Sequence, residues 1–394
     1  MDRTAVTSAN QLTAAWARTC GAGSTVLSGA GVLPLLAVLC AAASGPARQE
    51  LSAVVGLPAE DAVRHATDLL AELAAAPAVR SALGVWSGAD LPLTDWWSRS
   101  VPADVRGVLG DDPADSQATI DEWVERSTDG LLTKLPIKIE ASTLLVLASA
   151  LSVRTRWVAP FGDTPFRIDA GPWAGRRDIA MLSRTTNDLD LLTVVATPVG
   201  SLTRLRVVGT DDIDVHLVLG EPERRAHEVL PAAIESLTGR WPVRTGSQLV
   251  PGKPEPGVVV GDEPSRTPEP ILRTLTPRFT VTGSHDLLAR PRLFGLSSAS
   301  NTSQGHFPGI SPVPLAISTA AQDAVALFTA AGFEAAAVTA FGMMLGAALP
   351  AGTARVVSLR MDRPLGFVAV HRPTRLVLVA GWVAEPEEYP GTPD

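Results

Sequence analysis

"AAGFEAAAVTAFGMM" occupies residues 330–344, about fifty residues before the C-terminus. Every residue in it except the acid Glu334 is small, apolar or Thr. The stretch is shorter than the ~20 residues a membrane helix needs, and it lacks the charge spacing of an exposed helix. No Pro occurs between Phe333 and Leu349, although 32 prolines are spread through the chain. Each backbone N–H along it is therefore free to join a β-ladder. Alanine, however, favours helix, so the letters alone leave helix and strand both open.

The surroundings narrow the choice. With 394 residues the chain can form one large core or two or three average domains. A composition 46% hydrophobic and 19% charged belongs to globular proteins. The net charge of −8 offers no electrostatic footprint for nucleic acid. The 33 glycines are scattered and show no fixed period. Two cysteines, Cys20 and Cys40, are too few for a disulfide framework and read as reduced core thiols. "MDRTAVTSANQLTAAW" at the start is polar, then amphipathic, with no apolar stretch behind a basic segment. No secretory signal is expected from it, and a cytoplasmic location follows. The run "GAGVLPLLAVLCAAASG" (29–45) is the most apolar in the chain. It is short for a membrane span and reads as a helix buried on all sides.

Periodicity predicts helices over 8–19, 29–43, 58–75 and 115–127. "STLLVLASALSVRTRW" (142–157) reads as a strand buried on both faces. From residue 200 short strands alternate with turns, as in "LTRLRVVG", "DVHLVLGEP", "LRTLTPRFTVTG" and "TRLVLVAGWVAEP". Segment 244–270, rich in Pro, Gly and charge, reads as a surface loop or an irregular edge rather than a domain boundary. The pattern is α+β, with a helical front half and a strand-rich back half.

Motifs of enzymes are missing from the letters. The six histidines, at 65, 216, 227, 285, 306 and 371, show no metal-ligand spacing. "GLSSA" (295–299) approaches a nucleophile elbow but ends in Ala where Gly belongs. His285 and Asp286 are adjacent, and adjacency alone makes no catalytic pair. "GAG" at 21–23 and 29–31 continues into no phosphate loop. Neither metal nor cofactor is expected, and the chain is not read as an enzyme.

Six stretches, in order, resemble the serpin family of serine protease inhibitors. "IDEWVERSTDGLL" (120–132) resembles its Ile-x-x-Trp-Val helix. "LASALSVRTRWVAPF" (147–161) resembles its Asn-Ala to Trp and Pro-Phe segment through Ala150, Trp157, Pro160 and Phe161. "TPRFTVTGSHDLLARPRLFGL" (276–296) is similar to a Pro-basic-Phe strand followed by a helix ending at Gly. "HFPGIS" (306–311) is similar to a Phe-x-Gly-Ile-Ser turn. "DRPLGFVAVHRPTRLVLVAGWVAEP" (362–386) resembles the C-terminal strand pair, with Pro364, Phe367, Gly381, Val383 and Pro386 in place. "GFEAAAVTA" (332–340) resembles the hinge of the reactive-centre loop.

The resemblance, to a divergent bacterial-type member, implies one domain over 8–388 with three β-sheets and eight or nine helices. It also implies an exposed reactive-centre loop over 330–358 and a short tail at 389–394. A target protease, serine or possibly cysteine in class, cuts that loop. The freed segment then enters a central sheet as a new strand, the family's known behaviour. The partner implied is that protease, with no nucleic acid or membrane, and the chain is expected to be monomeric. Location outside the cell is the family-based alternative to a cytoplasmic one.

The hinge maps to Ala330, Gly332, Phe333, Glu334, Ala335, Ala336, Ala337 and Thr339. On insertion the inward set is Phe333, Ala335, Ala337, Thr339 and Phe341, and the single charge falls on the outward set. Two hinge positions depart from inhibitory members, Ala330 where an acid is usual and Phe333 where Thr, Ser or Val is usual. A ring forced into a slot shaped for Thr costs roughly 1–3 kcal/mol. In the transition state that slows insertion about 5- to 150-fold. A non-inhibitory serpin-fold binding or scaffold protein is therefore the alternative. The sheet-opening region maps to Ser28, Gly31, Ser149, Trp157 and Gln322. Counting forward from the hinge puts the cut near Gly346–Ala347, and counting back from Asp362 puts it near Thr353. Met343, Met344 or Leu345 suits a protease with an apolar primary pocket, the preferred target, and Arg355 suits a trypsin-like one.

Overall fold

The computed structural model describes residues 3–389 apart from 129, 132, 136, 142, 177 and 334–351. Helices come first: α1 (Arg3–Ala17), α2 (Gly29–Ala42), α3 (Gly45–Val55), α4 (Ala59–Ala75), α5 (Asp95–Ser100) and α6 (Pro113–Ser127). Later come α7 (Ala226–Ser236) and the short α8 (Pro291–Phe294). Ser28 caps α2 by accepting from the Gly31 N–H, and all of the helix but Ala41 is buried, as its apolar sequence predicts. Sequence periodicity did not predict α3. Its limits are set by Pro46 in the first turn and by Gly56, which closes it in the left-handed region at φ 71°.

The first strands are β1 (Thr25–Leu27), β2 (Val79–Gly88), β3 (Arg106–Leu109), β4 (Leu145–Val153), β5 (Thr155–Arg156), β6 (Gly162–Phe166) and β7 (Ile179–Thr186). They continue with β8 (Leu192–Thr197), β9 (Gly200–Val208), β10 (Ile213–Leu219), β11 (Val243–Thr245), β12 (Val258–Ser265) and β13 (Ile271–Pro277). The last are β14 (Phe279–Asp286), β15 (Thr319–Phe328), β16 (Gly332–Phe333), β17 (Gly352–Arg360), β18 (Leu365–His371) and β19 (Leu376–Val383). They form a seven-stranded sheet, β1-β19-β18-β10-β9-β8-β11, and two five-stranded sheets. One of these is central, β14-β15-β4-β2-β3, and the other, at its end, is β12-β17-β13-β7-β6. A two-stranded pair, β16-β5, joins the hinge to the chain just beyond β4. The α+β class and three principal sheets match the expectation, with eight α-helices among the described residues.

Helix α2 lies between the central and seven-stranded sheets and touches β2, β4 and β19. Its uncharged surface is thus buried between two sheets. Helix α6 covers the opposite face of the central sheet, where Ile120 and Val124 pack with Trp86, Val146, Ala148 and Ala150. The strand expected over 142–157 is β4, buried at every position, followed by the two-residue β5. Within 244–270 the structure places β12 as an edge strand. The β-branched run Val258–Val260 favours it, and Pro264 is tolerated because an edge strand has one side without a partner. Both thiols are free; Cys40 is buried and Cys20 partly so. Burial pushes the Cys20 thiol up to about 11. Among the described residues no helix is long and apolar enough to cross a membrane.

Candidate functional site: the seam between β4 and β15

β4 and β15 run parallel, with Thr319 opposite Val146 and Ala324 opposite Leu151. Side chains of β4 alternate between two faces. Leu145, Leu147, Leu151 and Val153 join the main core, and Val146, Ala148 and Ala150 lie under α6. The two strands are ladder-bonded neighbours over these six positions.

Beneath the seam, the Gln322 amide is satisfied at both ends. Its Oε1 accepts from the Ser28 N–H at 2.9 Å, and its Nε2 donates to the Ser28 carbonyl at 2.9 Å and to Ser149 Oγ at 3.4 Å. Ser28 Oγ donates to the Leu378 carbonyl. The side chain of Gln322 therefore ties β15 to the start of α2 and to β4, and Ser28 extends the tie to β19. Gly31 makes this fit: a Cβ there would stand 2.9 Å from Gln322 Nε2. A serine at Gly31 is thus incompatible with glutamine at 322 in this rotamer. The sheet-opening residues Ser28, Gly31, Ser149 and Gln322 are brought together as the sequence predicted, and Trp157 stands apart from them at the hinge.

At the hinge the chain leaves β15 and reverses. The Thr329 N–H donates to the Gly332 carbonyl at 2.9 Å, and the Gly332 N–H donates to Thr329 Oγ1 at 3.2 Å. Gly332 and Phe333 then pair antiparallel with Arg156 and Thr155. The Trp157 indole donates to the Thr329 carbonyl at 2.9 Å, and the backbone N–H groups of Trp157 and Phe161 donate to the Ala331 and Ala330 carbonyls. The Ala330 side chain is buried, so an acid at this position would lose its hydration. This gives the absence of the usual acid a physical reason.

Phe333 is 1% exposed. Its ring lies 6.1 Å from that of Phe367, which stands 5.0 Å from Phe279. Phe279 stacks on Phe328 at 5.2 Å, and Phe328 also meets Trp157 at 4.9 Å and Phe161 at 5.8 Å. In the uncut chain Phe333 is buried with the Phe367 ring beside it, so its surroundings here differ from the expected slot shaped for Thr. Aromatic pairs at such separations are favourable. Sequence reasoning missed the participation of Phe279, Phe328 and Thr329. The signal available was the Phe328-Thr329 pair directly ahead of Ala330.

Asp323 was also missed. It lies in the same seam, opposite Ala150 across the parallel ladder and Ser284 on the other side. It is 5% exposed, and its Oδ1 has no partner among the described residues. Burial pushes its carboxyl up to about 6, against a smaller downward pull from Ser284.

Glu334, Ala335, Ala336, Ala337 and Thr339 of the hinge lie outside the described residues, as do Met343, Met344, Leu345, Gly346 and Ala347. Arg355 is placed differently from the expectation. It sits in β17, opposite Asp262 of β12, with its guanidinium donating to the Leu249 carbonyl. Residues 352–358 are ladder-bonded, so the loop expected over 330–358 is shortened at its distal end. The cut counted back to Thr353 falls in the same strand. The discarded enzyme motifs also find structural roles. Ser298 of "GLSSA" donates through Oγ to Glu50 at 2.7 Å. The His285 ring donates to the Val26 carbonyl at 2.8 Å, while Asp286 accepts from the Leu288 N–H. Among the described residues no group of His, Cys, Asp and Glu could hold a metal ion.

The family profile described as serpin (serine protease inhibitor) matches residues 4–175. Residues 4–175 belong to the serpin family by that match, and the described residues carry the serpin fold. The structure of native protease nexin-1 with heparin is 16% identical and superposes with a TM-score of 0.73 over 98% of this chain and 99% of that one. A serpin from the trematode Schistosoma haematobium, also 16% identical, gives 0.69 over 95% and 98%. Human thyroxine-binding globulin complexed with thyroxine, at 16% identity, gives 0.71 over 98% and 99%. At these identities the structural likeness speaks for fold alone. No curated protein sequence matches this serpin.

Proposed function

We propose that this serpin inhibits a serine-type endopeptidase by being cut within residues 334–351 and inserting the freed segment between β4 and β15. The observation that carries the reading is the direction of β16, already antiparallel to β5, the short strand that follows β4. Extending the register of Phe333 opposite Thr155 places Thr339 opposite Ser149 and Met343 opposite Leu145, the first residue of β4. The same register sets Glu334 opposite Arg154, its charge beside an opposite one. Ala335, Ala337, Thr339, Phe341 and Met343 then fall on the core face with Val153, Leu151, Ser149, Leu147 and Leu145. Thr339 takes a place between Ser149 and Gln322, so insertion exchanges one hydrogen-bonded side chain for another. A strand ending at Met343 fills β4, which favours a cut after Met343, Met344, Leu345 or Gly346. The first three present an apolar side chain to the protease.

Incubation with subtilisin and with chymotrypsin, followed by a denaturing gel, tests this. A detergent-stable complex of summed mass is expected, together with cut serpin that shows no melting transition below about 90 °C. Clean cutting without complex, and with an unchanged melt, overturns the proposal.

One observation favours a second reading, that of a carrier. A cavity of about 470 Å3 on the seven-stranded sheet is lined by Arg204, Arg206, His216 and Arg372 among others. His216 is buried, with Nδ1 lacking a partner among the described residues. Its imidazole is pushed down to about 3 by burial and by the two arginines. The thyroxine complex of thyroxine-binding globulin makes thyroxine the first probe. Saturable binding without any protease complex would favour this reading over the first.

A further inference from the structure

One face of the seven-stranded sheet gathers cations that its acids do not balance. Arg204 and Arg206 lie two residues apart on β9 and so share a face. Arg206 stands opposite His216 of β10, and Arg204 opposite Thr193 of β8. With Arg375, in the turn ahead of β19, they line the cavity of about 470 Å3 at the end of α7. In a chain of net charge −8 this is a local reversal of sign.

Two carboxylates reach the same cavity, and both are engaged elsewhere. The Arg372 guanidinium donates to both oxygens of Asp214 at 2.9–3.1 Å, to Asp212 at 3.0 Å and to the Gly209 carbonyl at 2.9 Å. Asp190 accepts from Ser247 Oγ at 2.7 Å. Four arginines against two aspartates leave the lining with an excess of two positive charges. The C-terminal end of α7 offsets about half a charge of it. Arg204, Arg206 and Arg375 enter no ion pair among the described residues.

The donors left over converge. Arg204 gives Nε to Thr193 Oγ1 at 3.3 Å and Nη1 to Ser236 Oγ at 3.2 Å, which fixes its guanidinium and leaves Nη2 over. The Arg206 side chain has no partner among the described residues, and it is exposed, so the cavity is open to a solute. His216 is buried, and its Nδ1 lacks a partner among the described residues. An unmade bond of that kind is one a ligand can complete. Burial, and then the charges of Arg206 and Arg375, hold the Arg204 guanidinium below its usual range. The three cations therefore repel one another, and an anion among them relieves the repulsion.

We propose that this cavity binds a small dianionic oxyanion, a phosphate or sulfate group, through Arg204, Arg206 and His216. Guanidinium forks suit such oxygens, each through paired N–H donors. The volume is within the usual range for small organic ligands, so both the free ion and a compact ester of it fit. The inference rests on the cavity of the carrier reading and deepens it by naming the class of ligand. Protease inhibition plays no part in it.

Calorimetric titration of the uncut full chain tests it, with inorganic phosphate, inorganic sulfate and phenyl phosphate as probes. Ionic strength is held constant with chloride. One saturable site per chain is expected. A tighter constant for phenyl phosphate than for phosphate identifies the ester as the source, and equal constants identify the free ion. Arg206→Gln alters an exposed, unbonded side chain and should weaken binding about tenfold, the equivalent of one charge-assisted bond. Arg204→Gln, which also gives up Thr193 and Ser236, should weaken it further; if that variant does not fold, Arg206→Gln carries the test alone. Arg167→Gln, just beyond β6 in another sheet, should bind as wild type. No saturable binding of any probe, or equal constants in Arg206→Gln and Arg167→Gln, overturns the inference. Thyroxine separates it from the carrier reading. Thyroxine bound while none of the three anions binds or competes leaves the carrier and ends the oxyanion site. Anion bound without thyroxine leaves the oxyanion site and ends thyroxine as the cargo.

Discussion

β18 with β19 and β4 with β15 are both buried strand pairs in the middle of a sheet, and they are built from different materials. The first pair is antiparallel from Leu365–Val383 to His371–Leu376 and carries Leu, Val, Phe and Trp on wholly buried backbone. Gly381 admits the Phe367 ring, which a Cβ would meet at 2.4 Å. The second pair is parallel, matched over only six residues, and includes Ser149, Ser152, Gln322 and Asp323 among its buried side chains. Ser152 Oγ and Asp323 Oδ1 have no partner among the described residues. Small and polar side chains contribute less burial, and an unpaired buried polar atom costs about 1–3 kcal/mol. One sheet is thus a closed core and the other contains a line along which it parts at the lowest cost.

The largest effect should come from breaking the closed core. Phe367→Ala removes a ring packed on Phe279 and Phe333 and should destabilise by about 3–5 kcal/mol. Denaturant unfolding of cut and uncut chains should show the loss in both. A loss confined to the uncut form would mean that the two regions are not independent. Next, Phe333→Thr, which restores the family's usual residue, should lower the stability of the uncut form by about 2–4 kcal/mol, because the Phe333 ring is buried and lies beside Phe367. A rise in the denaturation midpoint would instead identify Phe333 as strained.

Gly31→Ser should cost about 1–3 kcal/mol through its collision with Gln322. Adding Gln322→His, which removes the amide nitrogen that the new Cβ meets, should return most of it. Absence of recovery would detach the polar network from the seam.

The smallest effect sharpens the comparison. The Asp323 carboxyl, at about 6 when folded against an ordinary value of 3.8, keeps its proton more readily in the folded chain. The contribution of this group to folded stability is therefore greatest at low pH, falls as pH rises from about 4 to 6, and is level above that. The contribution is of order 1 kcal/mol after allowance for screening. Asp323→Asn should raise the uncut melting temperature at pH 7.5 and flatten this part of its pH profile. An unaltered profile would remove Asp323 from the account.

Much of the architecture was legible because its signals are local. Fourteen apolar or small residues in sequence make α2 a buried helix in any fold, and β4 is apolar on both faces because both are covered. The hinge glycine and the Ser28, Ser149 and Gln322 set were legible through order and spacing. The fit of Phe333 was not, because the ring beside it is Phe367, thirty-four residues later, and no local pattern joins the two. β12 was obscured for another reason. Its Pro, Asp and Glu are poor strand formers, and it is held in place by a neighbour, β17, almost a hundred residues later. Asp323 looked like an ordinary polar residue because burial by two flanking strands leaves no mark in the letters.

Trp123 of α6 meets Trp86 of β2 edge to face at 4.9 Å. That contact makes the molecule its own spectroscopic gauge. A helix lying across the central sheet resists the sliding of strands beneath it, so any widening next to β4 must disturb the indole pair before the new strand is seated. Stopped-flow fluorescence after mixing with protease would then register a transient excursion ahead of the final signal. On the insertion reading, its lifetime is the interval during which the covalent intermediate would remain open to hydrolysis.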